Sequence, residues 1–147
     1  MSNFRASLLQ KEGPYIGVFI LPSQPILTEI KNAGEVPDGR HIRAIIDTGA
    51  ESSSISLHTL EELNLVPHNL RPRISTEGQN YQPVFDVTIQ IKFENKDKAV
   101  DFFLEVAGID LDGYNTYALI GRDILRYCEL SYNGMQGTFL LKFIGEE

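Results

Sequence analysis

The stretch that decides the fold is Ala44-Ile45-Ile46-Asp47-Thr48-Gly49-Ala50-Glu51-Ser52-Ser53-Ser54-Ile55. An apolar strand delivers an aspartate into a tight turn, and threonine and glycine follow at once. Gly49 lets the backbone bend with no Cβ in the way of an approaching ligand. The Thr48 hydroxyl can hydrogen-bond locally and hold the turn. A carboxylate fixed at the end of a rigid strand suits a catalytic group. Taken alone, Asp-Thr-Gly reads first as an ordinary turn.

A second stretch changes that balance. Tyr117-Ala118-Leu119-Ile120-Gly121-Arg122-Asp123-Ile124-Leu125 again runs an apolar strand into a turn, here Gly-Arg followed by a short helix. Together the two stretches resemble the retropepsin-like aspartic proteases. In that family an apolar pair precedes Asp-Thr-Gly-Ala, and a later apolar strand enters Gly-Arg-Asp or Gly-Arg-Asn. The resemblance spans roughly residues 13–143 and is closest to the bacterial and cellular members.

The resemblance implies an aspartic endopeptidase without cofactor or metal. Its fold would be mainly β, a half-barrel with two short helices completed by homodimerisation. One domain would cover residues 1–147, with 1–13 flexible. Asp47, Thr48 and Gly49 would form the catalytic turn. Ala50 and Glu51, with Thr76, Glu77 and Gly78 near the tip of a flap over 73–84, would meet a peptide substrate. Glu51 would pair with Arg122, whose planar fork can grip a carboxylate with two hydrogen bonds. Glu51 is one methylene longer than the aspartate common in viral members, so this contact could be displaced or shared across the dimer.

The chemistry explains the dimer. Amide hydrolysis of this type needs two carboxylates sharing one proton, one drawing a proton from water and the other protonating the carbonyl oxygen. Two carboxylates so close cannot both ionise easily, which splits their titrations. The chain holds no second Asp-Thr-Gly or Asp-Ser-Gly; Asp38, Asp86, Asp97, Asp101, Asp110, Asp112 and Asp123 all have other neighbours. The second carboxylate must then be the Asp47 of another copy, across a two-fold interface. The competing reading is a catalytically silent dimeric module that keeps the peptide groove and cleaves nothing; the intact motif argues against it.

Outward from these motifs the pattern is strand-rich. Strands are expected over 15–21, 26–30, 41–46, 84–93 and 100–106, the last two pairing across the polar turn 94–98. Segments 129–132 and 138–143 flank Asn133-Gly134, a hairpin signal. Ser56 is placed to cap a helix over 57–64, and 122–127 has helical spacing.

Composition excludes several classes. The 147 residues carry 42% hydrophobic and 22% charged side chains and a net charge of −7, ordinary for a globular domain. Without Lys or Arg clusters, neither nucleic acid nor an anionic membrane is an expected partner; the expected partners are a second copy and a peptide or protein substrate. Cys128 is the only cysteine, which suits a reducing, cytoplasmic setting, and no secretion signal or membrane span is read in the sequence. Gly108-Ile109-Asp110-Leu111-Asp112-Gly113 is similar to a phosphatase nucleophile motif, yet Tyr114 replaces its threonine and too little chain follows, so a solvated loop is expected. His41, His58 and His68 lack metal-ligand spacing. Cys128 reads as a small buried hydrophobe and Ser52–Ser54 as the polar start of a strand.

Overall fold

The computed structural model describes residues 2–75 and 78–145. In chain order the elements are α1 (Ser2–Glu12), β1 (Tyr15–Pro22), α2 (Gln24–Asn32), β2 (Arg40–Ile46), β3 (Ser54–Ser56) and α3 (Leu57–Glu62). Then follow β4 (Asn69–Ser75), β5 (Gly78–Ile91), β6 (Val100–Ile109), β7 (Ala118–Ile120), α4 (Arg122–Leu125), β8 (Cys128–Asn133) and β9 (Thr138–Phe143).

The sheet runs β1-β2-β7-β3-β6-β5-β4, and β1 also pairs with β5. That extra pairing closes β1, β2, β7, β3, β6 and β5 into a barrel-like ring with β4 appended to β5. Closure leaves few open edges and puts one face of every ring strand inside. The interior is filled by branched aliphatics: Val18, Ile20, Ile55, Val87, Ile89, Val106, Ile120 and Ile124 are all essentially fully buried. The expected mainly β half-barrel is the observed architecture. Most pairs are antiparallel, but β2–β7 and β3–β6 are parallel, and these two short pairings flank the Asp47 turn.

The expected 84–93 and 100–106 strands pair as foreseen, from Val84↔Ala107 to Ile91↔Val100. β5 starts earlier, at Gly78, because its first half pairs with β4 from Asn69↔Val84 to Ser75↔Gly78. The C-terminal hairpin β8–β9 forms its own two-stranded sheet. Such a pair is marginal alone, and it is held to the barrel by Leu141 and Phe143, both buried. Asn95 clasps it: its Nδ2 donates to the Phe143 carbonyl at 2.8 Å and its Oδ1 accepts from Phe143 N–H at 3.1 Å.

Segment 26–30, expected as a strand, lies in α2. Pro25 sits in its first turn, where a fixed φ is already helical and the missing N–H would have no partner. Leu27 is the helix's buried residue. Residues 1–13, expected to be flexible, contain α1, with Leu9 buried and its carbonyl accepting from Gly13 N–H at 2.9 Å. α3 is capped as expected, the Ser56 hydroxyl accepting from Thr59 N–H, and stops at Asn64, whose φ of 56° is left-handed. Among the described residues no helix is long and apolar enough to cross a membrane.

Candidate active site

β2 and β7 lie side by side and parallel, with Ile46 opposite Ile120. Both isoleucines are buried, at 5% and 0% exposure. Burying each contributes about 1.5–3 kcal/mol, so the ends of the two strands are pinned together. One residue on, Asp47 N–H donates to the Ile120 carbonyl at 2.9 Å. The half-buried Asp47 is thus the first residue to leave the core, with its backbone still tied to β7.

The turn itself is held by its own carboxylate. Ala50 N–H donates to the Asp47 carbonyl at 3.2 Å, and Gly49 N–H donates to Asp47 Oδ1 at 3.0 Å. The Thr48 hydroxyl, expected to hold the turn, makes no hydrogen bond among the described residues. Gly49 is not needed for a positive φ. A side chain there would bring its Cβ within 3.3 Å of Asp47 Oδ1 and crowd the carboxylate instead.

The Gly-Arg-Asp segment closes on this turn from behind. A Cβ on Gly121 would lie 2.6 Å from the Ser52 carbonyl carbon and 2.7 Å from its oxygen, so only glycine fits. Arg122 N–H donates to the Ala50 carbonyl at 2.9 Å. Fully buried Ser53 is the hub: its hydroxyl donates to Asp123 Oδ1 at 2.7 Å and accepts from Gly121 N–H at 3.0 Å. Asp123 also accepts from Ser53 N–H at 2.9 Å and from Ile124 N–H at 2.9 Å. Ser53, expected only as part of a polar strand start, is therefore a structural centre of the site.

Within one chain the expected ion pair between Glu51 and Arg122 does not form among the described residues. Arg122 Nη1 donates to the Thr48 carbonyl at 2.8 Å, while Glu51 is exposed and makes no ion pair within the chain among the described residues. The acid that clamps the two motifs is Asp123. Its carboxylate can accept several N–H and O–H bonds at once from the buried turn, whereas the longer Glu51 side chain points to solvent.

Asp47 opens onto a cavity of about 1310 Å³. Its floor includes Ile45, Ile46 and Leu119; one wall is Asn80–Pro83 of the β4–β5 hairpin, and another is the loop from Gly108 to Thr116. The expected flap is thus a hairpin whose arm shares a cavity with Asp47, although its strands begin at Asn69 rather than at 73. Thr76 and Glu77 lie outside the described residues. Gly78 pairs with Ser75 next to the hairpin's loop, with a φ of 117°.

A family model of aspartyl proteases matches residues 33–124, well over half of the chain and including both motifs. The chain belongs to the aspartyl protease family. By that membership it is an aspartic-type endopeptidase, in agreement with the retropepsin-like resemblance of its two motifs. No curated protein sequence matches it. Among solved structures, the protease of simian foamy virus (mac) is 20% identical, with a TM-score of 0.45 over 59% of this chain and 82% of its own. The EIAV protease, in complex with the inhibitor HBY-793, is also 20% identical, with a TM-score of 0.42 over 77% of this chain and 85% of its own. A retropepsin-like aspartic protease from Rickettsia conorii is 17% identical, with a TM-score of 0.49 over 87% of this chain and 80% of its own.

One further cluster joins residues that their spacing did not connect. His68 lies between Asp86 and Glu105, its Nδ1 at 3.5 Å and its Nε2 at 3.0 Å from a carboxylate oxygen, and Arg71 reaches Glu105 at 2.5 Å. Asp86 and Glu105 face each other directly across β5 and β6, an unfavourable like-charge pair. The Arg71 guanidinium offsets it, and together with the His68 ring it fastens the β4 arm of the flap to β6. Only the register of three strands, invisible in sequence, brings these groups together.

Proposed function

We propose that the protein is a homodimeric endopeptidase in which two copies of Asp47, one from each subunit, activate a water against a peptide bond. The observation that carries this reading is the single Asp-Thr-Gly turn at the mouth of a cavity walled by a hairpin arm. One chain offers half of the required pair, and the exposed Thr48 and Arg122 beside the turn suit contact with a second copy. One carboxylate takes a proton from water as its oxygen bonds to the peptide carbon; the other, protonated, gives its proton to the carbonyl oxygen. Collapse of the tetrahedral intermediate breaks the C–N bond and the proton passes to the leaving amine.

An extended peptide suits the cavity because the flap arm can pair with its backbone as an added strand. Ala50, Glu51 and the flap tip around Thr76, Glu77 and Gly78 would meet it on either side. The free Cys128 suits a reducing cytoplasm. The test is digestion of a peptide library by wild type and by Asp47→Asn at several protein concentrations. Cuts should require Asp47, and specific activity should fall on dilution below the dimer dissociation constant. Full activity from a strict monomer would contradict the proposal.

A further inference from the structure

The loop that forms the far wall of the cavity is built to hold a fixed shape. Tyr114 N–H donates to the Leu111 carbonyl at 3.0 Å, and Gly113 between them has a φ of 86°, a conformation that glycine adopts without strain. Asp112 N–H donates to Asp110 Oδ1 at 2.9 Å, fixing the direction of that carboxylate. The other Asp110 oxygen has no partner among the described residues. Backbone hydrogen bonds thus order a loop that presents Asp110 and Tyr114 to the same cavity as Asp47.

The chemistry of that cavity is one-sided. Among the described residues it is lined by two carboxylates, Asp47 and Asp110, and by no Lys, Arg or His. Tyr81 on the flap wall and Tyr114 on the loop wall are 63% and 70% exposed. At the cavity edge the chain already uses such a ring for a cation: the Arg43 guanidinium sits 3.7 Å from the centroid of Tyr15, with Glu12 at 3.2 Å from its Nη2. Asp110 and Tyr114 likewise bring a carboxylate and an exposed ring to the lining of this one cavity. A guanidinium can stack on the ring and still donate to the carboxylate. A low-dielectric cleft lined by one sign of charge also concentrates ligands of the opposite sign.

We infer that the Asp110–Tyr114 end of the cleft is a subsite for a basic substrate side chain, arginine above all. This rests on the peptidase reading, but it concerns which peptides are bound rather than how they are cut.

The test uses peptides identical except for Arg, Gln or Glu at one position, moved in turn along the sequence. Cleavage by wild type gives kcat/KM, and binding to Asp47→Asn, followed by fluorescence anisotropy, gives affinity without turnover. At one position Arg should be favoured over Gln by about tenfold in both readouts, and Glu disfavoured. Asp110→Asn should bring the Arg-to-Gln ratio close to one, and Tyr114→Leu should lower it. In wild type, without any substitution, raising salt should shrink the ratio. Equal handling of Arg and Gln at every position overturns the subsite while leaving the peptidase reading intact. Arg-selective binding with no cleavage of any peptide supports the subsite and overturns the peptidase reading.

Discussion

The Ser53 hydroxyl donates to the Asp123 carboxylate at 2.7 Å, and through that bond the aspartate turn and the Gly-Arg-Asp segment become one rigid body. The same hydroxyl takes the Gly121 N–H, so a single buried oxygen links the backbone of one motif to the side chain of the other. The geometry of the Asp47 turn is thereby set from behind, by a hydroxyl that is fully buried.

Ser53→Ala should therefore cost about 1–3 kcal/mol, since it strands the buried Gly121 N–H and removes one of the hydrogen bonds to the Asp123 carboxylate. Asp123→Ala should cost more, because it frees Ser53 N–H, the Ser53 hydroxyl and Ile124 N–H together. Chemical denaturation of both variants beside wild type checks the order.

Arg122→Lys gives the opposite expectation. Because Arg122 is exposed and reaches a carbonyl rather than Glu51, the substitution should change monomer stability by no more than about 1 kcal/mol. Glu51→Gln should be near neutral. A loss of several kcal/mol in either variant would restore the buried ion pair expected from the sequence.

Gly121→Ala should be far more damaging than its size suggests. The added Cβ meets the backbone of Ser52 and Ala50, which cannot rotate away as a side chain could. Loss of soluble, folded protein or of activity is the expected outcome; a fully active, stable variant would mean that the two motifs are less tightly apposed.

Burial pushes the Cys128 thiol up to about 11. The folded state thus favours the neutral thiol. Stability from this group is complete below the ordinary value of 9.0 and is lost as pH rises through about 11. At pH 8 native protein should react with iodoacetamide much more slowly than unfolded protein, because the thiolate is the nucleophile.

Glu105→Gln should loosen the root of the flap. It removes the carboxylate held by His68 and Arg71, so backbone amides of β4 should exchange hydrogen faster while those of β6 stay protected. Equal exchange in both proteins would show that the backbone ladder alone fixes the hairpin.

Much of this was legible in sequence because local signals and global fold agree there. Ile45-Ile46 before Asp47, and Leu119-Ile120 before Gly121, read as core strands ending at turns, and they are. Segment 26–30 misled because its isoleucines resemble a strand, while the decisive signal lay upstream in Ser23-Gln24-Pro25, which starts a helix. The choice between Glu51 and Asp123 as the clamping acid depends on which carboxylate faces the buried Ser53, and spacing does not encode that. The His68 cluster depends on strand register alone.

The most direct test of two shared Asp47 carboxylates is a mixing experiment. Wild type at fixed concentration is titrated with Asp47→Asn, and cleavage of one peptide is followed after subunit exchange. If each active site needs both copies, an equal mixture leaves only about half of the wild-type chains in productive pairs, and activity falls to about half, declining further with excess variant. Activity that stays constant while the two proteins demonstrably co-purify would contradict a site built from two subunits.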